Sequence, residues 1–342
     1  MTVAVVALAA AGCGESSKTA STGGDKETGK SGKGIGLAYD IGGEGDQSFN
    51  DAAHAGFLKA DKDFGIGGQT FEPADGEGEA DKVTRIENLA KQGYNPVIGV
   101  GFIYAPAIKE VAAKYPDTTF GIIDDESVNA PNVASMVFSE EQASYLAGVA
   151  AAKASKSGTV GFIGGVDIPL IHKFGAGFEQ GAKAADPDVK VIKKILTSTP
   201  QEGGFNSPDK GREAANGQIE QGADVLYHAA GLSGQGVISE AAKNKVWAIG
   251  VDSDQYQQDA LKEYKDYILG SATKNVGGAV YDLAKSVHDG KPLSGVIRGD
   301  LKSGAVGFSD TNPKYKEMTE VVEAVEKASK DIVDGKVTVK TS

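Results

Sequence analysis

Short apolar runs alternate with amphipathic stretches along the chain from Ile35 onwards. The first apolar runs are rich in β-branched residues, which is typical of buried strands. They cover residues 35–41, 96–101, 119–124 and 133–138. Between them, apolar residues recur at three- and four-residue spacing at 81–92 and 105–114, which predicts helices that bury one face. Strands that alternate with helices form a parallel sheet with helices on both faces.

The same rhythm restarts after Phe138. A capping-box pattern at Ser139-Glu140-Glu141-Gln142 predicts a helix through Ala154. Strands are then predicted at 159–165, 189–197, 225–230 and 246–252, and helices near 173–185, 209–221 and 235–244. The rest of the chain adds a strand at 267–273, a helix at 275–289 and a final amphipathic helix at 314–334.

The two halves also resemble each other in sequence. Phe120-Gly121-Ile122-Ile123-Asp124 parallels Ala248-Ile249-Gly250-Val251-Asp252, and both of these predicted strands end in an aspartate. We therefore predict an α/β chain of two doubly wound, Rossmann-like lobes joined by a hinge. The first lobe is predicted to comprise residues 34–138 with about 274–300, and the second 139–273 with about 301–342. Ligands of open α/β sheets bind at the carboxyl ends of the strands, so two facing lobes enclose a binding cleft.

The N-terminal segment has the pattern of an export signal. An apolar run at residues 3–12 ends in Ala10-Ala11-Gly12 before Cys13, the single cysteine of the chain. This pattern is typical of a signal peptide with a small-residue cleavage site, and it resembles a bacterial lipobox, in which the thiol is acylated. Residues 14–33 are rich in Gly, Ser, Thr and Lys and predict a flexible tether. An ordinary thiol without a lipid is the alternative.

Composition and motifs argue against several classes of function. The formal net charge of −12 disfavours a nucleic-acid partner. One cysteine rules out an intrachain disulfide and a cysteine metal cluster. The four histidines are scattered singly, and the sequence contains no Gly-x-Ser-x-Gly elbow, no His-Glu-x-x-His and no Cys-x-x-Cys. We therefore expect a binding protein without a metal or cofactor, not an enzyme.

The loop after the first strand carries polar and aromatic residues just before a helix. Ser48 or Asn50 is predicted to cap that helix. Phe49 lies at the carboxyl end of the strand, where it either stacks on a flat ligand or packs as a hydrophobic staple. Phe205 stands in an equivalent loop of the second half. Two phenylalanines on facing lobes would sandwich one planar ring.

Other polar residues follow predicted strands at the same cleft. Asp124 and Asp252 suit a ligand rich in hydroxyls, because one carboxylate can accept from two vicinal hydroxyls, although either residue could instead cap a helix. Gly231 would let the backbone approach a ligand closely. Lys274 follows a strand and would either balance the carboxylates or remain solvated.

Several of these segments resemble the signature segments of the basic membrane protein family, which comprises lipoproteins similar to the purine nucleoside receptor A type. They are Asp46-Gln47-Ser48-Phe49-Asn50-Asp51, Gly204-Phe205-Asn206, Gly250-Val251-Asp252-Ser253-Asp254-Gln255 and Ser271-Ala272-Thr273-Lys274-Asn275. Ser207 departs from the aspartate that the resemblance leads us to expect. The resemblance implies the type I periplasmic-binding-protein fold. It also implies a substrate-binding lipoprotein of an ABC importer, anchored on the extracytoplasmic face of the cell membrane.

The resemblance further implies the ligand and its contacts. Phe49 and Phe205 would stack on a purine base whose edge is read by Asp46 and Asn50. The ribose would be held by Asp124, Gly231, Asp252 and Lys274, with Phe174 a further candidate near the cleft and Cys13 the lipidation site. The expected partners are a purine nucleoside, a membrane permease and a lipid anchor, with the protein itself a monomer.

Two other readings share the fold. A sugar-binding receptor would also use carboxylates and aromatic stacking, but Lys274 together with Asp46 and Asn50 favours the edge of a base. A ligand-sensing transcription regulator would need a DNA-binding helix-turn-helix before Ile35, where the sequence predicts the tether.

Overall fold

The computed structural model describes residues 33–74 and 76–342. Its strands, in chain order, are β1 (Ile35–Ala38), β2 (Gly68–Phe71), β3 (Val97–Gly99), β4 (Phe120–Ile123), β5 (Val133–Phe138), β6 (Thr159–Val166), β7 (Lys190–Thr197), β8 (Val225–Ala229), β9 (Trp247–Asp252), β10 (Ile268–Lys274), β11 (Gly295–Gly299) and β12 (Val306–Phe308). The helices are α1 (Phe49–Phe64), α2 (Glu79–Lys91), α3 (Ala105–Lys114), α4 (Glu140–Ala154), α5 (Pro169–Ala185), α6 (Pro208–Glu220), α7 (Ser233–Lys243), α8 (Val276–His288), α9 (Pro313–Glu317) and α10 (Thr319–Val333).

These strands form two sheets with the same internal order. The first sheet runs β11-β5-β4-β3-β1-β2, and the second runs β12-β10-β9-β8-β6-β7. Every pair in the first sheet is parallel, and in the second only β12 is antiparallel, to its neighbour β10. The order in which successive strands are added therefore reverses at the same point of each sheet, beside β1 in one and β6 in the other. We call each sheet with its packed helices a lobe.

The central strands are buried on both faces, as expected for parallel sheets covered by helices. β1, β3, β4 and β5 are buried throughout, and so is nearly all of β6. The chain passes between the two sheets three times, through α4, through α8 and between β11 and β12. Several connections of this kind are what the predicted hinge requires, while the lobe boundaries drawn above remain a prediction.

The elements differ from the sequence-based expectation where the signal is short. The edge strands β2, β11 and β12 were not predicted, because three to five residues carry little periodicity. The final predicted helix is divided at Met318 into α9 and α10. The prediction of a capping box at the start of α4 is wrong, since Ser139 makes no side-chain capping hydrogen bond.

Among the helices that the structure describes, none combines the length and hydrophobicity that a bilayer crossing requires. The predicted signal segment 1–13, including Cys13, lies outside the described residues, as does nearly all of the predicted tether 14–33.

Candidate ligand-binding site

A cavity lies between the carboxyl ends of the two sheets. Its empty volume is about 510 Å³, which includes space open to solvent. All eight of the predicted ligand-binding residues line it, and so does Phe174: Asp46, Phe49, Asn50, Asp124, Phe205, Gly231, Asp252 and Lys274. The structure therefore brings together residues that are more than 220 positions apart in the chain. Their contact with a ligand stays a prediction.

The two phenylalanines come from opposite lobes. Phe49 is the first residue of α1, and Phe205 lies between β7 and α6. The ring of Phe205 rests against the backbone of β6 at Gly165, where a Cβ atom would lie 2.5 Å from two of its ring carbons. Only glycine permits that approach, so Gly165 on β6 helps to determine where the ring of Phe205 lies.

The loop before α1 is organised by Asp46. Its carboxylate accepts hydrogen bonds from the backbone N–H groups of Ser48 (2.8 Å), Asn50 (2.9 Å) and Asp51 (3.2 Å). Asp46 thus satisfies the free N–H groups at the start of the helix. Ser48 occupies the N-cap position, as predicted, but its hydroxyl donates to Asp252 Oδ2 and makes no capping hydrogen bond. The alternative prediction, that Asn50 caps α1, is wrong.

Asn50 is also committed within this loop. Its Oδ1 accepts from the backbone N–H of Asp40 (2.9 Å), and its Nδ2 donates to Asp46 Oδ2 (3.2 Å). Both Asp46 and Asn50 are about 1 % exposed. They line the cavity, but most of their hydrogen-bonding capacity shapes the loop that carries Phe49.

Asp40 is a cavity residue that the sequence reasoning missed. Its Oδ1 accepts from the backbone N–H of Ile41 (2.7 Å), which leaves Oδ2 as the acceptor not used by that bond. Burial raises the pKa of Asp40 to about 7, and the nearby carboxylates of Asp124 and Asp46 add to the effect. The sequence offered little signal, because the predicted strand 35–41 places Asp40 in its interior, whereas β1 ends at Ala38.

Lys274 lies at the centre of the carboxylate end of the cavity. Its Nζ is 2.6 Å from Asp124 Oδ2 and 3.5 Å from Asp252 Oδ1, and its side chain is 4 % exposed. Asp124 follows β4 of the first lobe, whereas Lys274 and Asp252 end strands of the second. Burial alone would lower the pKa of Lys274, but the surrounding carboxylates of Asp124, Asp252 and Glu140 raise it above its usual value. Lys274 is therefore a buried cation, not the solvated lysine that was the alternative.

Asp124 and Asp252 occupy matching positions in the two lobes. Both have a left-handed backbone with φ of 63°, which is uncommon outside glycine and costs conformational energy. Neither caps a helix. Each has one carboxylate oxygen, Oδ1, that is buried without a hydrogen-bond partner. Asp252 Oδ1 lies 3.5 Å from Lys274 Nζ but accepts no hydrogen bond from it. Two buried acceptors without a hydrogen-bond donor are costly unless a ligand donates to them.

Glu140 is a second residue that the sequence reasoning missed. It is 2 % exposed, its Oε2 has no hydrogen-bond partner, and the nearest cation is Lys173 at 3.9 Å. Burial raises the pKa of Glu140 to about 7, and the charge of Asp124 adds to the rise. The sequence hid this residue because it lies between Ser139 and Gln142 of the predicted capping box, where it was read only as part of the start of a helix.

These buried acids predict a pH-dependent stability. An acid whose pKa is higher in the folded than in the unfolded protein stabilises the fold at low pH, and this contribution is lost as the pH rises through the folded value. For Asp40 the window lies between about pH 4 and pH 7. We expect Asp40→Asn to reduce the loss of unfolding free energy between pH 5 and pH 8 by about 1–3 kcal/mol, measured by urea denaturation. Asp117→Asn, at an exposed position, is the control; equal pH slopes for parent, D40N and D117N would contradict the assignment.

The rest of the cavity wall is apolar. It is formed by Ile41, Phe102, Leu170, Ile171, Phe174, Ala229, Ala230 and Val251. The site thus combines an apolar wall, two half-buried rings and a carboxylate end, which suits a small molecule with a flat apolar part and several hydroxyl donors. Across residues 33–74 and 76–342, no cluster of metal-ligating side chains was found.

Comparison with known proteins assigns the chain to a family. The sequence profile of Bmp, described as "ABC transporter substrate-binding protein PnrA-like", matches residues 36–341. The chain belongs to the Bmp family. Bmp proteins are substrate-binding components of ABC transporters and not enzymes, so a small-molecule ligand and a membrane permease are the partners that membership implies.

Similar proteins cover most of the chain. The "ABC transporter nucleoside-binding protein BmpA" of Lactococcus lactis is 35 % identical over 320 residues, 89 % of this chain and 88 % of that one. An uncharacterised lipoprotein of Pyrococcus horikoshii is 35 % identical over 318 residues, 85 % of this chain and 76 % of that one.

Among solved structures, an ABC transporter solute-binding protein of Aeropyrum pernix superposes with a TM-score of 0.77 at 25 % identity, over 90 % of this chain and 93 % of that one. The predicted two-lobed type I periplasmic-binding-protein fold and the resemblance to the basic membrane protein family are thereby confirmed for this Bmp protein.

Proposed function

We propose that the protein captures purine nucleosides in the cavity between its lobes and delivers them to an ABC permease. The observation that carries the proposal is the division of the cavity into two chemically different ends. Phe49 and Phe205 approach from opposite lobes, while Asp124 and Asp252 each have a carboxylate oxygen without a hydrogen-bond donor beside Lys274. A nucleoside has the same division, because a flat base is joined to a sugar that carries several hydroxyls.

The ribose end is matched by hydrogen-bonding capacity. The Oδ1 atoms of Asp124 and Asp252 have no hydrogen-bond donor in the structure, and they accept from sugar hydroxyls beside the ammonium group of Lys274. Gly231, with φ of 52°, exposes backbone on the same wall of the cavity. A phosphate group would be repelled here, since carboxylates outnumber the lysine.

The other end of the cavity supplies two rings that stack on a base and polar groups that form hydrogen bonds with its edge. A base between Phe49 and Phe205 gains about 1–3 kcal/mol from stacking. Asp40 Oδ2 supplements Asp46 and Asn50 as the group that contacts the base edge, because their own atoms are largely engaged in the loop. Ionised Asp40 accepts from the N1–H of hypoxanthine or guanine, and protonated Asp40 donates to the N1 of adenine. The name of the Lactococcus lactis relative, a nucleoside-binding protein, supports the same ligand class.

A thermal-shift experiment tests the ligand class. Inosine, guanosine or adenosine at about 100 times its dissociation constant should raise the melting temperature by roughly 3–5 °C, by preferential binding to the folded state. Free hypoxanthine and D-ribose should each give smaller shifts, because each fills one end of the cavity. Stabilisation by hexoses or pentoses, with no response to nucleosides, would contradict the nucleoside proposal and favour the sugar-binding alternative.

We also propose that the protein is held at the extracytoplasmic face of the membrane as a monomer by a lipid on Cys13. The small-residue pattern before Cys13 and the lipoprotein name of the Pyrococcus horikoshii relative support this. We expect Cys13→Ala to move the protein from the membrane fraction to the soluble fraction of the expressing cells, as followed by immunoblotting. Because the folded part is untouched, nucleoside binding should not change. Retention of C13A on membranes would contradict the anchor.

A further inference from the structure

Two signature segments of the chain contain residues that the cavity does not use. In Asp46-Gln47-Ser48-Phe49 and in Asp252-Ser253-Asp254-Gln255, the residues Gln47, Ser48, Ser253 and Gln255 are absent from the cavity lining. These residues lie on opposite lobes, after β1 and after β9. They contact one another across the cleft.

The backbone carbonyl of Gln47 is the centre of this contact. It accepts from Ser253 Oγ (2.9 Å) and from Gln255 Nε2 (3.0 Å), both of the other lobe. Gln47 has a left-handed backbone with φ of 57°, held in place by hydrogen bonds from its backbone N–H and side chain to Asp51 Oδ2. A non-glycine residue keeps such a conformation only where its surroundings fix it.

The orientation of the Gln255 amide is determined by its neighbours. Its Oε1 lies 3.1 Å from the backbone N–H of Val251, which can only donate, and 2.9 Å from His228 Nε2. The opposite amide group is therefore the donor that reaches Gln47. Gln255 is completely buried, and His228 behind it is kept neutral because burial lowers its pKa to about 4. Buried groups of the second lobe, Val251 and His228, thus orient the Gln255 amide so that its Nε2 donates to Gln47.

Two further bonds join the same loop to the second lobe. Ser48 Oγ donates to Asp252 Oδ2 (2.7 Å), and Gln235 Nε2 of α7 donates to the carbonyl of Gly45 (3.0 Å). Ser48 directly precedes Phe49 in the sequence, and Ser253 directly follows Asp252. Phe49 and Asp252 both line the cavity. The contacts between the lobes are therefore attached to residues that line the cavity.

We infer that Ser253 and Gln255 are positioning residues that clasp the lobes together over the cargo through the Gln47 carbonyl. They touch no part of the cavity and act through the loop that carries Phe49. The clasp is a proposal about closure of the lobes. It rests on the proposed function only because a nucleoside is the probe in the first test. Loss of either donor should let the closed protein open faster without changing how the open protein meets its ligand.

The test is the rate of ligand binding and release in the full chain, using 2-aminopurine riboside, whose fluorescence is quenched by stacking. In Ser253→Ala, at a partly buried position, and in Gln255→Ala, we expect the dissociation rate to rise about fivefold, the ratio that corresponds to one net hydrogen bond, while the association rate stays within twofold. Gln257→Ala, an exposed residue of the same short 3-10 helix, is the matched control and should bind as the parent does. Unchanged dissociation in both variants, or slower association alone, would overturn the clasp.

A second measurement separates failure of the clasp from failure of the nucleoside proposal. Spin labels at Lys109→Cys and Glu213→Cys, exposed positions on α3 and α6, report the lobe separation in a Cys13→Ala background. If the parent binds no purine nucleoside, the nucleoside proposal fails, and the clasp is judged on lobe separation without ligand. The clasp requires that Ser253→Ala depletes the short-distance population at least threefold. Equal populations in parent and variant would overturn it whatever the cargo.

Discussion

Replacing Lys274 with methionine is expected to lower the free energy of unfolding by about 3–5 kcal/mol. The ammonium group is buried against Asp124 at 2.6 Å and Asp252 at 3.5 Å. Removing it leaves two carboxylates in a low-dielectric site without a counter-charge, which costs more than the ion pair itself contributes. Urea denaturation at pH 7 measures the effect. Binding of nucleosides should be lost as well, because a protonated carboxyl group is a poorer acceptor for sugar hydroxyls.

The control for this variant is Lys314→Met. Lys314 is an exposed lysine that forms a 3.4 Å ion pair with Asp266, also exposed. Exposed pairs contribute little, so a change within about 0.5 kcal/mol is expected. A loss below 1 kcal/mol in K274M would show that water reaches the carboxylates, and would contradict the buried-cation description of the site.

Replacing Phe49 or Phe205 with alanine is expected to weaken purine nucleoside binding by roughly 10- to 100-fold, since each ring contributes stacking of about 1–3 kcal/mol. Both rings are only half-buried in the structure, so most of their loss should appear in ligand affinity, measured by isothermal titration calorimetry. The double variant should bind too weakly to detect at micromolar concentrations.

Phe64→Ala is the matched control for Phe49→Ala. Phe64 ends the same helix and packs against Tyr281 and His288, away from the cavity. It should lower thermal stability while leaving nucleoside affinity within about twofold. If F49A and F205A bind as the parent does, the two rings are packing residues, as the staple alternative for Phe49 supposes.

The sequence predicted the fold and much of the cavity because the relevant signals are local. Strand-helix alternation defines two parallel sheets, and an aspartate at the end of each matching strand marks the cleft. Phe49 and Phe205 were recognisable because each precedes a helix after a turn. Such signals lie within a few residues and survive without knowledge of tertiary contacts.

What could not be predicted depends on contacts between distant parts of the chain. Asp40 was assigned to the interior of a predicted strand, but β1 ends at Ala38 and the side chain enters the cavity. Glu140 lies inside the predicted capping box of Ser139 and Gln142, which gives no sign that its carboxyl group is buried near Lys173. The roles of Ser253 and Gln255 require knowing that the loop at Gln47 lies opposite them.

The measurement that tests the account most directly is a crystal structure of the protein with guanosine. The account predicts the base between the rings of Phe49 and Phe205. It also predicts ribose hydroxyls within hydrogen-bonding distance of the Oδ1 atoms of Asp124 and Asp252, which have no hydrogen-bond donor in the present structure. A nucleoside bound outside this cavity, or inside it with the base away from both rings, would contradict the central claim.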